Sequence, residues 1–267
     1  MKSIFERIRV YGQYYLKADT RHRIHSPFLF ELVESVFNSD NRYYDFDAIR
    51  NAWSKYSGSK DLIPPDAFGD ERGQSGQDLG AFARRSLHPP PRLYELYRLA
   101  LYLKPSRILE LGSCLGVSTL TLALAAKKAE CLGVEGNSFF VSQAGALHQE
   151  FGINNIRMVH LRFSDFLDGD QEGLYDWILL DGDHHYETTR DLVHRLLGKL
   201  KPGGCLLLDD IHWSAGMYRA WAECLLDHRI HCSLETPRWG FIFINQDLTA
   251  GHYTWCPETW KPWQRYF

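Results

Sequence analysis

The chain has 267 residues, 45% hydrophobic and 24% charged, with a formal net charge of -3. That suits one sizeable core with an extension, or two small domains, and argues against general attraction to nucleic acid or an anionic membrane. No apolar run is long enough to span a bilayer. The six cysteines are scattered without a C-x-x-C pair, which speaks against a disulfide framework or zinc site.

The first seventeen residues, MKSIFERIRVYGQYYLK, are charged throughout and lack a signal-peptide core, so a cytoplasmic protein is expected. Residues 1–58 read as helical. Ile4, Ile8, Tyr11 and Tyr15 share a face, Ser26-Pro27 opens a helix running through Phe37, and Asp45 starts a third containing Ile49, Trp53 and Tyr56. The stretch from Ser57 to Pro91 is rich in Gly, Pro, Asp and Arg without sustained periodicity. Its segment Asp66 to Pro89, with Arg84, Arg85, Ser86 and His88, is expected to be a lid or a linker.

From Arg92 the pattern is regular. A helix over 92–103 is followed by alternating strands and helices: 107–111, 117–127, 130–134, 138–151, 156–161, 175–180, 188–200 and 205–208. This alternation predicts a parallel sheet covered on both faces, which binds ligands beyond the carboxyl ends of its strands. A helix over 214–227 and an antiparallel pair, 230–235 and 240–244, close the pattern, with Thr236-Pro237-Arg238-Trp239 as the turn. The expected fold is α/β and doubly wound, with residues 1–91 as a helical extension and 92–267 as the main domain.

Three groups of residues carry the functional signal. In RILELGSCLG, Glu110 interrupts a buried apolar strand, and a charge there is costly unless something pairs with it. Gly112 and Gly116 bracket a tight loop before a helix, which lets backbone approach a ligand closely. Glu135 ends the second strand about twenty residues on, where a carboxylate can accept from both ribose hydroxyls of a nucleoside. The third group lies farther on. Asp181, Asp183, His184 and His185 crowd the end of one apolar strand, and Asp209-Asp210 the end of the next. Two adjacent carboxylates repel unless a cation or proton sits between them.

At Glu110, Gly112, Gly116 and Glu135 the chain resembles the class I S-adenosylmethionine-dependent methyltransferases, whose first motif is E/D-x-G-x-x-x-G and whose second strand ends in an acid. The resemblance covers roughly Arg92 to Ile244 and implies a Rossmann-like, mainly parallel seven-stranded sheet ending in an antiparallel hairpin strand. It also implies S-adenosylmethionine as cofactor, contacted by Glu110, Gly112, Ser113, Cys114, Gly116, Ser118, Glu135, Gly136, Asn137, Asp181 and His184. Ser164-Asp165-Phe166 would meet the adenine; Asp165 reads equally well as a helix cap.

Asp181, Asp209 and Asp210 match the catechol-type O-methyltransferases, which implies magnesium on these three carboxylates, a set of hard oxygen ligands. The lysine base of that group is replaced here by His184, so the base is His184 or His185, with Asp181 beside it. His25-Ser26-Pro27-Phe28 resembles a segment of uncharacterised bacterial methyltransferase-like proteins, and reads first as a helix entry with aromatic packing.

The leading expectation is therefore magnesium-assisted O-methylation of a small-molecule acceptor, without nucleic acid or membrane as partner and with a homodimer left open. The alternatives are a metal-independent methyltransferase acting on another atom, and a nucleoside-binding interaction protein without turnover. An NAD-dependent dehydrogenase is disfavoured by the glycine spacing.

Overall fold

The computed structural model describes residues 4–64, 76–169 and 173–266. Residues 66–75 of the expected lid lie outside them. The described helices are α1 (Ile4–Lys17), α2 (Pro27–Leu32), α3 (Asp45–Ser57), α4 (Leu79–Ser86), α5 (Pro90–Leu103), α6 (Val117–Ala125), α7 (Ser138–Glu150), α8 (Phe163–Gly169), α9 (Tyr186–Leu197) and α10 (Ala215–Cys224). The strands are β1 (Arg107–Leu111), β2 (Glu130–Glu135), β3 (Ile156–His160), β4 (Tyr175–Leu180), β5 (Leu200–Leu208), β6 (Cys232–Glu235), β7 (Gly240–Phe243) and β8 (Gly251–Thr254). No described helix is long and apolar enough to cross a membrane. The chain divides into two compact units, a central one of Ser35–Asp170 and a terminal one of Met1–Glu34 with Gln171–Phe267.

In the central unit three parallel strands lie in the order β3-β2-β1. All of β1 except Arg107 is buried, as its apolar run requires. The first eight residues of α6 are likewise buried, including Thr119 and Thr121. The segment expected to be irregular before Arg92 contains α4, which escaped notice because eight residues are too few to display a period. Asp78 caps it by accepting from the Ala81 N–H, and Leu79 and Ala83 are buried.

In the terminal unit the order is β4-β5-β7-β6-β8. Strands β4 and β5 are parallel, while β7 is antiparallel to both β5 and β6. The eighth strand, β8, was not expected; four residues of mixed polarity run parallel to β6, pairing Cys232 with Gly251. Strand β5 starts earlier than the expected 205, and Lys201-Pro202-Gly203-Gly204 lies inside it as a register irregularity. Ser26 caps α2 by accepting from the Leu29 N–H at 3.5 Å, and the Phe28 ring meets Phe243 edge-on at 5.1 Å, so His25-Ser26-Pro27-Phe28 is a helix entry packed on β7.

Packing is tight where β7 meets α10. A Cβ added to Gly240 would lie 2.5 Å from the buried Trp221 ring, whereas one added to Gly145 in α7 would meet nothing within 4 Å. We expect Gly240→Ala to lower unfolding free energy by roughly 1–3 kcal/mol, the usual cost of overpacking. Gly145→Ala should raise it by about 0.5–1 kcal/mol, because a helix interior favours alanine. Urea titration of the two variants checks both.

Candidate active site

The glycine loop of the central unit is built from β1, β2 and α6. β1 delivers Glu110, which is fully buried and accepts a hydrogen bond from the Thr119 hydroxyl on α6. Glu110 pairs in register with Gly133, where a side chain would press on Ser113 Oγ at 2.6 Å and Met158 Sδ at 2.7 Å. The loop then turns through left-handed backbone at Gly112 (φ 100°), Cys114 (φ 47°) and Gly116 (φ 76°). The Gly112 N–H donates to the Val134 carbonyl at 2.9 Å, and the Gly116 N–H to that of Ser113 at 2.7 Å. A non-glycine residue at positive φ costs of order 1–3 kcal/mol and tends to sit at functional sites.

Gly116 is required twice over. Its φ favours glycine, and an added Cβ would lie 2.6 Å from Ala144 Cβ and 2.8 Å from His148 Nε2. His148 approaches because its Nε2 bonds the Gly116 carbonyl at 2.9 Å; that oxygen can only accept, so Nε2 carries the proton. Burial pushes the His148 pKa down, against the Gly116 bond.

Glu135 ends β2 and ties the loop to it. Oε2 accepts the Cys114 N–H and Oε1 the Asn137 N–H, each at 2.9 Å. Burial raises its pKa above the ordinary carboxylate range, while the N–H groups of Asn137, Cys114 and Gly136 oppose the rise. A carboxylate oxygen has about two lone-pair sites. With three N–H groups directed at its two oxygens, Glu135 keeps lone-pair capacity for a ribose hydroxyl. Asn137 caps α7 through Phe140 N–H at 3.2 Å, which places Gly136 in the turn between Glu135 and that cap. Ser118, in the first turn of α6, is buried. Ser164 and Asp165 stand exposed in the first turn of α8, with Ser164 donating to Asp165 at 3.2 Å, whereas Phe166 is buried.

The terminal unit carries the second group. Asp181 follows β4, and His184 Nε2 lies 4.0 Å from its Oδ1. The His184 side chain is 28% exposed, and its ring centroid is 6.4 Å from that of Trp213. His185, 82% exposed, contacts Asp183 at 2.6 Å instead. Asp183 (φ 47°) and Asp210 (φ 51°) both hold left-handed backbone just past strand ends.

Asp209 is 1% exposed and accepts three hydrogen bonds from protein donors. Its Oδ1 accepts from Arg238 Nε at 2.9 Å and from Trp239 Nε1 at 2.7 Å, and its Oδ2 accepts from Arg238 Nη2 at 3.0 Å. Arg238 Nη2 also reaches Asp210 Oδ1 at 3.2 Å. The Asp210 pKa is raised to about 6, by burial first and by Asp209 next, with Arg238 and His184 opposing.

Asp209 has little left to offer the magnesium expected on Asp181, Asp209 and Asp210, although a carboxylate oxygen of Asp181 and one of Asp209 lie within 4.8 Å of each other. A magnesium ion needs carboxylate oxygens at about 2.1 Å with lone pairs turned toward it. Three of the roughly four lone-pair sites of Asp209 are taken by Arg238 and Trp239. The cation that adjacent Asp209 and Asp210 call for is supplied by the chain.

Sequence reasoning missed Thr119, His148, Arg238 and Trp239. For Arg238 a signal existed: an arginine beside a tryptophan in a tight turn between two apolar strands. His212 is 1% exposed; it bonds Glu235 Oε1 at 2.9 Å and the Pro237 carbonyl at 3.1 Å.

The buried His148 has a consequence for pH. Its pKa is lowered on folding, so as pH falls through about 6.5 the unfolded chain takes up a proton that the folded chain refuses, and stability drops. His148→Gln keeps an N–H for Gly116 and does not titrate. Thermal melts between pH 5 and 8 should show the wild type losing stability relative to this variant on acidification, and a constant difference would refute the assignment.

Residues 109–211 match the family described as a methyltransferase domain. No curated protein matches the chain. Among solved structures the chain is similar to cofactor-bound Rv0187 from MTB, with a TM-score of 0.58 at 15% identity over 81% of this chain and 95% of that one. It is similar to the O-methyltransferase TomG from Streptomyces achromogenes, involved in tomaymycin synthesis and solved with SAM, with a TM-score of 0.54 at 15% identity over 79% and 95%. It is also similar to an O-methyltransferase from Bacillus cereus solved with SAH, with a TM-score of 0.54 at 14% identity over 83% and 96%. At such identities the likeness is one of fold. The match to a methyltransferase domain covers residues 109–211, and the likeness to the solved structures extends to the Rossmann-like α/β fold of the chain.

Proposed function

We propose that the chain transfers the methyl group of S-adenosylmethionine to an oxygen of a small hydroxylated acceptor. The observation that carries this is Glu135, fastened to the glycine loop through the Cys114 N–H, held also by the Asn137 N–H, and left with acceptor capacity for a ribose hydroxyl. A ribose diol supplies a matching donor. Two O-methyltransferases of similar fold, TomG and the Bacillus cereus protein, support the choice of oxygen.

Bound S-adenosylmethionine supplies a methyl group already activated on sulfonium sulfur, so the protein's task is placement and proton removal. Gly112, Ser113, Cys114 and Gly116 bring backbone against the cofactor, and Glu135 holds the ribose. His184 would take the proton of the acceptor hydroxyl. His184 suits this role better than His185 because its side chain is partly shielded, 28% exposed against 82%. No step needs magnesium. The metal-independent reading is favoured over metal assistance because Asp209 is committed to Arg238 and Trp239.

Isothermal calorimetry with S-adenosylhomocysteine tests the cofactor assignment. The wild type is expected to bind, and Glu135→Gln to bind at least about tenfold more weakly, roughly 1.4 kcal/mol, because one acceptor becomes a donor. Absence of wild-type binding at high micromolar ligand, or an unchanged affinity in the variant, would remove the premise.

A further inference from the structure

Arg238 reaches the acids from the turn between β6 and β7, and that turn is held from both sides. The Thr236 N–H donates to the Trp239 carbonyl at 2.8 Å, and the Trp239 N–H to Thr236 Oγ1 at 2.9 Å. The Ile211 N–H donates to the Arg238 carbonyl at 3.2 Å, which ties the turn to the chain just past Asp209-Asp210. His212 then bonds both Pro237 and Glu235, fixing the residues that precede Arg238. The guanidinium is therefore positioned before any ligand arrives.

Its own bonding is one-sided. Nε and Nη2 form the two-pronged contact with Asp209, and Nη2 also serves Asp210. The two N–H groups of Nη1 have no acceptor among the described residues, and the side chain is 33% exposed. Planar, permanently charged and forked, arginine matches a carboxylate in a way that lysine cannot.

We propose that Arg238 is the resident cation of the Asp209–Asp210 pair, doing the charge-neutralising work of a divalent ion, and that its Nη1 edge is offered to the acceptor oxygen. The enzyme is then metal-independent because the cation is part of the chain. A latent metal site lies beneath the guanidinium and opens when it is removed. This rests on the proposed function only for the identity of the acceptor oxygen; the charge balance stands without it.

The test uses the full-length chain stripped with chelator and titrated with Mn2+, following free Mn2+ by electron paramagnetic resonance. The wild type is expected to show no saturable binding into the millimolar range. Arg238→Met, which leaves two adjacent carboxylates without a counter-charge, is expected to bind Mn2+ at least about tenfold more tightly. Arg238→Lys keeps the charge but loses the fork, and should fall between the two. Saturable sub-millimolar binding by the wild type that is lost in Asp210→Asn would overturn the proposal, as would an Arg238→Met protein that is folded and still ignores Mn2+. Should Arg238→Met not fold, the wild type and Arg238→Lys decide: binding by the wild type refutes, and absence in the wild type with gain in Arg238→Lys supports. Binding of S-adenosylhomocysteine, measured on the same samples, reports separately on the cofactor assignment.

Discussion

A carboxylate buried at the end of a strand has to be compensated, and in the terminal unit this requirement is met by the guanidinium of Arg238 on Asp209. An isolated buried charge is expensive, whereas a bidentate pair with an additional Trp239 donor satisfies most of its lone pairs. The same need recurs in the central unit with other donors. Glu110 takes the Thr119 hydroxyl, and Glu135 takes two backbone N–H groups. Each compensation fastens two elements together: β1 to α6, the glycine loop to β2, and β5 to the β6–β7 turn.

Backbone conformation follows the same geography. Cys114, Asp183 and Asp210 hold left-handed φ angles just past β1, β4 and β5 respectively, and none is a glycine. Such residues persist when their surroundings over-determine them, and they concentrate where a ligand is met. In the glycine loop the surroundings are visible: Cys114 donates its N–H to Glu135, and Gly116 is pressed from behind by His148 and Ala144.

The parts legible in the sequence are those whose chemistry is local. The strand around Glu110, the loop between Gly112 and Gly116, and Glu135 at the end of β2 fall within one β-α-β unit, where spacing and residue type speak together. Arg238 was not legible as a partner of Asp209. The two lie 29 positions apart, and only the antiparallel return of β7 beside β5 brings the turn to the acids. Adjacent acids announce a missing positive charge but do not say whether an ion or a side chain supplies it. β8 and α4 escaped for a plainer reason, since four and eight residues are too short for a period to emerge. His148 was hidden because its role depends on a single backbone carbonyl, which leaves no trace in composition.

The compensation of Asp209 by Arg238 is tested most directly by a double-mutant cycle. Unfolding free energies in the presence of chelator would be measured for the wild type, Asp209→Asn, Arg238→Met and the double variant. A coupling of about 1.5 kcal/mol or more is expected for a buried pair bonded to one another. Additivity within about 0.5 kcal/mol would mean that the two side chains stand close without depending on each other, and would contradict the account.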